Sequence, residues 1–192
     1  RPAEVPLSFA QRRLWFLQRL EGGGSTYTMP LAVRLRGELD VSALEAALGD
    51  VVERHESLRT IFPERLGVAR QEILATSAAR VRLLVSAVRE VELSGALTAA
   101  LQVGFDLSRE LPLRAHLFAL GAHEHVLLLL LHHIAGDGWS LGPLARDLSL
   151  GYGARVRGVA PDFAPLAVQY ADYTLWQQAL LGEESDGGSV LA

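Results

Sequence analysis

Val126-Leu127-Leu128-Leu129-Leu130-Leu131-His132-His133-Ile134-Ala135-Gly136-Asp137-Gly138-Trp139-Ser140 is the stretch around which this chain is organised. Its leading apolar run, Val126 to Leu131, reads best as a strand buried on both faces; by pattern alone, a buried helix segment is the alternative. On a strand, His132 and His133 project to opposite faces. Gly136, Asp137 and Gly138 then form a turn, and a helix restarts near Ser140. An imidazole at the exit of a central strand, beside a glycine turn, is placed for proton transfer, because neutral imidazole both accepts and donates near pH 7. The divergence of the two side chains leaves one histidine for chemistry and the other for packing. Taken alone, an HHxxxDG string more often marks a satisfied core histidine than a catalytic one. His123 and His125 raise the alternative of a metal site. They fall with Gly121 in an expected hairpin turn, and neither a cysteine nor a helical HExxH spacing completes a zinc shell, so no metal is expected.

The 192 residues suffice for one domain, or one large lobe, with a real core. At 49% hydrophobic and 21% charged the composition is globular, and a net charge of −4 gives no basic footprint for nucleic acid. There is no 18-residue apolar stretch and no apolar signal segment after Arg1-Pro2-Ala3-Glu4, so no membrane is expected. Without cysteine there are neither disulfides nor thiolate chemistry, which fits a cytoplasmic location. All basic residues are arginine, scattered along the chain, which reads as the codon bias of a GC-rich genome. The absence of lysine excludes a Schiff base within this chain.

Ser8 and Gln11 make a capping box. They open a helix to about Leu20 with Ala10, Leu14 and Leu17 on one face and Phe9, Phe16 and Leu20 nearby, the pattern of an N-terminal core helix. Glu21 to Ser25 reads as a loop, and Leu31, Val33 and Leu35 alternate as a half-buried strand. Asp40 caps a second helix that carries Val41, Leu44, Leu48 and Val51 and runs out near His55. Leu58 to Phe62 reads as a strand broken at Pro63, with a hairpin returning from Val68 to Leu74. Val81 to Val88 is a further strand, and Val91 to Gly104 a third helix with Leu93, Ala96, Leu97, Ala100 and Leu101 inward. Leu113 to Leu120 pairs through a turn with the central strand. Ser140 and Pro143 open a fourth helix with the stripe Leu141, Leu144, Leu148 and Tyr152. Tyr170 to Leu181 is the last helix, and Gly182 to Ser189 a polar, glycine-rich tail. The order of elements gives an α/β fold with a mixed sheet, and without a GxGxxG loop it is not a Rossmann unit.

Four ordered motifs carry a resemblance. Ser8-Phe9-Ala10-Gln11-Arg12-Arg13-Leu14-Trp15, Arg54-His55-Glu56-Ser57-Leu58-Arg59-Thr60-Ile61-Phe62, His132 to Ser140, and Tyr170-Ala171-Asp172-Tyr173-Thr174-Leu175-Trp176-Gln177 stand in sequence. Phe105-Asp106-Leu107 and Pro112-Leu113-Arg114-Ala115 match the usual run into the strand before the core. The chain resembles the condensation domains of nonribosomal peptide synthetases, of the chloramphenicol-acetyltransferase-like superfamily, over nearly its whole length. The resemblance implies an α/β, chloramphenicol-acetyltransferase-like lobe with a mixed sheet flanked by helices. Residues 1–181 would be the N-terminal lobe, and residues 182–192 a polar linker towards a C-terminal lobe that holds the later motifs. The wording His-His-Ile-Ala-Gly-Asp-Gly-Trp-Ser is more like the subclass joining two L-configured residues.

The resemblance further implies acyl transfer. The amine of a downstream aminoacyl thioester attacks an upstream peptidyl thioester, both on phosphopantetheine arms of peptidyl carrier proteins, with an adenylation domain in the same synthetase. No cofactor would be bound by this chain itself. A tunnel between two lobes would meet at His133, with Asp137 a structural ion-pair partner. For His133 three roles stand open: general base or proton shuttle, positioning of the amine, and stabilisation of the tetrahedral intermediate. The following helix N-terminus is expected to keep it unprotonated. His132, Asp137, Gly138 and Trp139 would support the site, the last two through backbone amides towards an oxyanion. A triad-like Asp137 is the lesser reading, since four residues on its carboxylate is expected to point away. Arg59 is expected to be a buried ion-pair or hydrogen-bond hub, and His55 structural. Trp15, Tyr170 and Asp172 are tunnel candidates, although Trp15, like Trp139 and Trp176, is most simply a core or lobe-packing aromatic, and Tyr170 and Asp172 fit equally as caps of the last helix. Two rivals are a stand-alone acyltransferase using a coenzyme A thioester and a non-catalytic docking lobe for carrier proteins. The first and second motifs speak against one, the intact core against the other.

Overall fold

The alternation of β8, Glu124–His132, sets the architecture. In this computed structural model, which describes residues 1, 2 and 4–182, Leu127, Leu129 and Leu131 join one core, and Val126, Leu128 and Leu130 join another. Both faces of the strand are thus covered, as its uninterrupted apolar run requires. β8 lies inside a four-stranded sheet ordered β2-β8-β7-β6, where β2 is Thr28–Arg36, β6 is Leu83–Ala87 and β7 is Leu113–Gly121. β2 and β7 run antiparallel to β8, while β6 runs parallel to β7, so the sheet is mixed. On one face α2, Val41–Arg54, and α4, Leu141–Val156, contribute Leu44, Leu48, Val51, Leu144 and Leu148 to the core. On the other, Leu93 of α3, Glu90–Leu101, packs with Phe105, Leu107 and Phe118.

A smaller sheet brings β5, Val68–Ile73, against β1, Val5–Pro6, β3, Thr60–Ile61, and β4, Glu64–Arg65. The strand expected over Leu58 to Phe62 is realised only at Thr60–Ile61; Glu56–Arg59 is a 3-10 turn. Local bonds account for the difference: Thr60 Oγ1 donates to the Glu56 carbonyl at 2.7 Å, and Leu58 N–H to the His55 carbonyl at 3.0 Å. α5, Tyr170–Leu181, covers this end of the molecule, with Ala171 and Thr174 buried. The expected tail beyond Gly182 lies outside the described residues.

Helix α1, Phe9–Leu20, opens on the expected capping box: Gln11 N–H donates to Ser8 Oγ at 3.1 Å, and Ser8 N–H to Gln11 Oε1 at 3.0 Å. Its buried face is not the expected one. Gln11 and Gln18 are buried, Ala10, Phe16 and Leu20 are exposed, and Leu14 and Leu17 only half-buried. The two glutamines are seven residues apart, two turns along one stripe. Each finds hydrogen-bond partners inside the fold, so burying amides costs little and the apolar edge is turned towards open space.

Candidate active-site cleft

His132 continues the even-numbered face of β8 and is fully buried, while His133 is exposed, one residue beyond the strand. Backbone bonds fasten the segment: His132 N–H donates to the Pro112 carbonyl at 2.9 Å, His133 N–H to the Tyr27 carbonyl at 2.8 Å, and Ala135 N–H to the His132 carbonyl at 3.0 Å. The His132 ring sits against the edge of Phe105, centroids 5.8 Å apart. Burial, then the nearby His133, pushes its pKa down to about 4. His132 is therefore a neutral packing group, and the division of labour expected of the two histidines holds in their placement.

The His133 side chain makes no hydrogen bond among the described residues and borders a cleft of about 460 Å³. His55, Ser57, Leu14, Asp137 and Tyr170 line the same space. Tyr170 reaches it from the first turn of α5, its hydroxyl 3.0 Å from Ser8 Oγ. Burial raises the Tyr170 pKa, against the opposing hydrogen bond to Ser8. His55 is held from behind: its Nε2 lies 2.9 Å from Oδ2 of Asp147, which also accepts from Arg54 at 2.8 Å. Burial would raise the Asp147 pKa, but the hydrogen bonds from His55 and Arg54 outweigh it and leave the pKa lowered. The second motif thus supplies a wall of the cleft that sequence reasoning had assigned only to structure. Asp147 itself was missed, although an acid between Leu144 and Leu148 on a buried stripe is a signal for a paired carboxylate.

Of the remaining expected site residues, Asp137 borders this cleft and the others lie elsewhere. Asp137 is exposed and forms no ion pair among the described residues; its Oδ1 accepts from Ser140 N–H at 3.1 Å and Ser140 Oγ at 2.9 Å. Those bonds, Ser140's hydroxyl first, lower its pKa. The ion-pair role is corrected accordingly for the described residues: Asp137 ties the glycine turn to the start of α4 while bordering the same cleft as His133, which further lowers its pKa. The Trp139 backbone N–H also serves Asp137, and neither Gly138 nor Trp139 lines the cleft. Trp139 is 90% exposed and Trp176 59%, so neither is a core residue. Trp15 borders a second, larger cleft of about 930 Å³ with Phe105, Gly104 and Arg114, away from His133. Asp172 closes the capping box at the start of α5, accepting from Gln169 N–H at 3.0 Å, and pairs with Arg1, so it is a cap and not part of the cleft wall. Arg59 is half-buried: one guanidinium nitrogen donates to the Leu74 carbonyl at 2.6 Å and another to Glu56 at 3.4 Å, while its Nε is buried without a hydrogen-bond partner. No helix of the described residues is long and apolar enough to cross a membrane.

Fold and site together define a class: a chloramphenicol-acetyltransferase-like α/β lobe with an unengaged imidazole where its central strand meets a cleft. The condensation-domain family model matches residues 2–186, and the chain belongs to that family. It is 59% identical over 192 residues to a dimodular nonribosomal peptide synthase of Bacillus subtilis, covering all of this chain and 8% of the relative. It is 60% identical over 190 residues to a probable non-canonical nonribosomal peptide synthetase, CymA, of Salinispora arenicola, covering 99% of this chain and 2% of that protein. Among solved structures it is similar to the X-domain in its complex with OxyB from teicoplanin biosynthesis, with a TM-score of 0.91 and 46% identity over 99% of this chain and 41% of that one. The first condensation domain of the CDA synthetase shares the fold, with a TM-score of 0.79 at 20% identity, over 96% of this chain and 48% of that one. The chain therefore spans a small part of its curated relatives and under half of these domains.

Proposed function

We propose that this chain is the N-terminal, histidine-bearing lobe of a peptide-bond-forming condensation domain, with residues 1–181 as the lobe and 182–192 leading to a second one. The observation that carries the reading is the free, exposed His133 ring on a cleft wall, beside a neighbour locked neutral in the core. In this reading an upstream carrier protein presents a peptidyl thioester on its phosphopantetheine arm and a downstream one an aminoacyl thioester. The amine nitrogen attacks the thioester carbonyl, a C–N bond forms and the C–S bond breaks. His133 takes the proton released by the amine and returns it to the departing thiolate, so no external acid is consumed. An amine is already a nucleophile towards a thioester, so alignment of the two arms supplies much of the rate, and proton transfer adds a typical ~10²–10⁴-fold. The reaction would take place in the cytoplasm, alongside an adenylation domain.

The test uses the complete domain with loaded donor and acceptor carrier proteins and mass spectrometry of the extended thioester. His133→Ala is expected to lower turnover by about 10²–10⁴-fold, with unfolding free energy changed by no more than ~0.5 kcal/mol because the side chain is exposed. Wild-type turnover in His133→Ala would sink the reading. A second, non-catalytic reading is favoured by the likeness to the X-domain, which was solved bound to OxyB. A domain that binds an OxyB-like protein and yields no extended thioester would decide for it.

A further inference from the structure

Gln18 is one of the few buried polar residues of the lobe, and neither its role nor its burial follows from the motifs. Its side-chain Nε2 donates to two backbone carbonyls, Gly24 and Phe105, each at 3.3 Å. Both amide protons are thereby used, and Oε1 is left facing Nε2 of His132 at 3.3 Å. An amide oxygen only accepts, so His132 must carry its proton on Nε2. The other ring nitrogen, Nδ1, accepts the Ile134 N–H at 3.1 Å and so carries none. One tautomer of the neutral ring satisfies both contacts. The tautomer and the imidazolium that place a proton on Nδ1 would set it against the Ile134 N–H.

The histidine held in this way is flanked on its far side by the residue that faces the cleft. His132 and Ile134 are both buried, so the backbone of His133 is anchored before and after, and its ring alone is free to project. The loops that hold Gln18 are themselves tight: a Cβ on Gly104 would run into the Gly23 carbonyl oxygen. We propose that Gln18 is a positioning residue for the reaction, which selects the Nε2-protonated tautomer of His132 and through it fixes the His133 turn against the cleft. This rests on the functional reading above for its consequence in rate, but not for the tautomer.

Gln18→Glu keeps the shape, cannot donate to Gly24 and Phe105, and offers His132 a carboxylate that favours the imidazolium. Gln18→Met keeps the volume and removes every hydrogen bond, and serves as the control for packing. In the complete domain, long-range ¹H–¹⁵N correlations of the imidazole nitrogens should show wild-type His132 with a pyridine-like Nδ1 and a protonated Nε2. In Gln18→Glu both nitrogens should appear protonated near neutral pH, with kcat reduced roughly 10²-fold, the effect expected of a small displacement of a reacting group, and KM little changed. Gln18→Met should lose the tautomer bias and show an intermediate loss of kcat. A wild-type ring pattern in Gln18→Met would overturn the proposal, as would an altered ring pattern with undiminished kcat. Should the unsubstituted domain form no peptide bond, the functional reading falls, and the ring-nitrogen pattern still decides whether Gln18 sets the tautomer.

Discussion

The buried ring of His132 makes the stability of the fold sensitive to acid. Its pKa is lowered from 6.5 to about 4 by burial, so within that window the unfolded chain binds a proton that the folded one refuses. The stabilisation is present above pH 6.5, is lost as pH falls towards 4, and amounts to something on the order of 3 kcal/mol, at about 1.4 kcal/mol per pKa unit. Urea unfolding across this window should therefore show a steeper fall in the wild-type domain than in His132→Asn; equal slopes would mean that the ring is hydrated or protonated in the folded state. Asp137 is the opposite kind of residue, exposed and joined to Ser140 through local bonds. Asp137→Ala should cost about 1 kcal/mol, the usual worth of a local hydrogen bond, where removing one member of a buried ion pair would cost about 3–5 kcal/mol. Denaturant titration separates the two magnitudes.

At the scale of elements, α4 is joined to α2 by more than its leucine stripe. Asp147 is 4% exposed in its side chain, and its carboxylate serves both Arg54 at the end of α2 and His55 on the cleft wall. Truncating it leaves an arginine largely buried and unpaired, so Asp147→Ala should destabilise the domain by roughly 3–5 kcal/mol, read by urea unfolding. The same change should free His55, broadening its ring resonances. A loss below about 1 kcal/mol would mean that Arg54 finds water instead. The apolar edge of α1 presents a different case. Periodicity correctly placed the helix, and the capping box correctly placed its start. The periodic rule then chose the wrong face, because it cannot weigh two glutamines that find partners sixty or more residues away along the chain, Gln71 for Gln11 and Phe105 for Gln18.

Across the whole molecule, apolar side chains remain outward on α1, α5 and the turn before α4: Phe16, Leu20, Trp139, Trp176 and Leu180 are all more than half exposed. Phe9 N–H donates to the Gln177 side chain at 3.3 Å, which brings the start of α1 beside α5. Exposed apolar surface of this kind marks an interaction face. The 192-residue chain on its own is expected to self-associate, with sedimentation shifting as concentration rises, and to give no extended thioester from loaded carriers, since one lobe offers one wall for arms that need alignment. A strictly monomeric chain that matched the complete domain in turnover would overturn the two-lobe reading. The sequence by itself determined the α/β class, the central strand, the bounds of α5 and the side-chain caps Ser8 and Asp40, because periodicity and capping are set by neighbours along the chain. It also divided His132 from His133, since strand alternation needs only parity. Only the tertiary structure decided that Asp147 stands behind His55 and that Gln18 reaches His132. Those partners depend on which buried polar groups meet and satisfy one another once the sheet and helices have packed, and no local pattern carries that information.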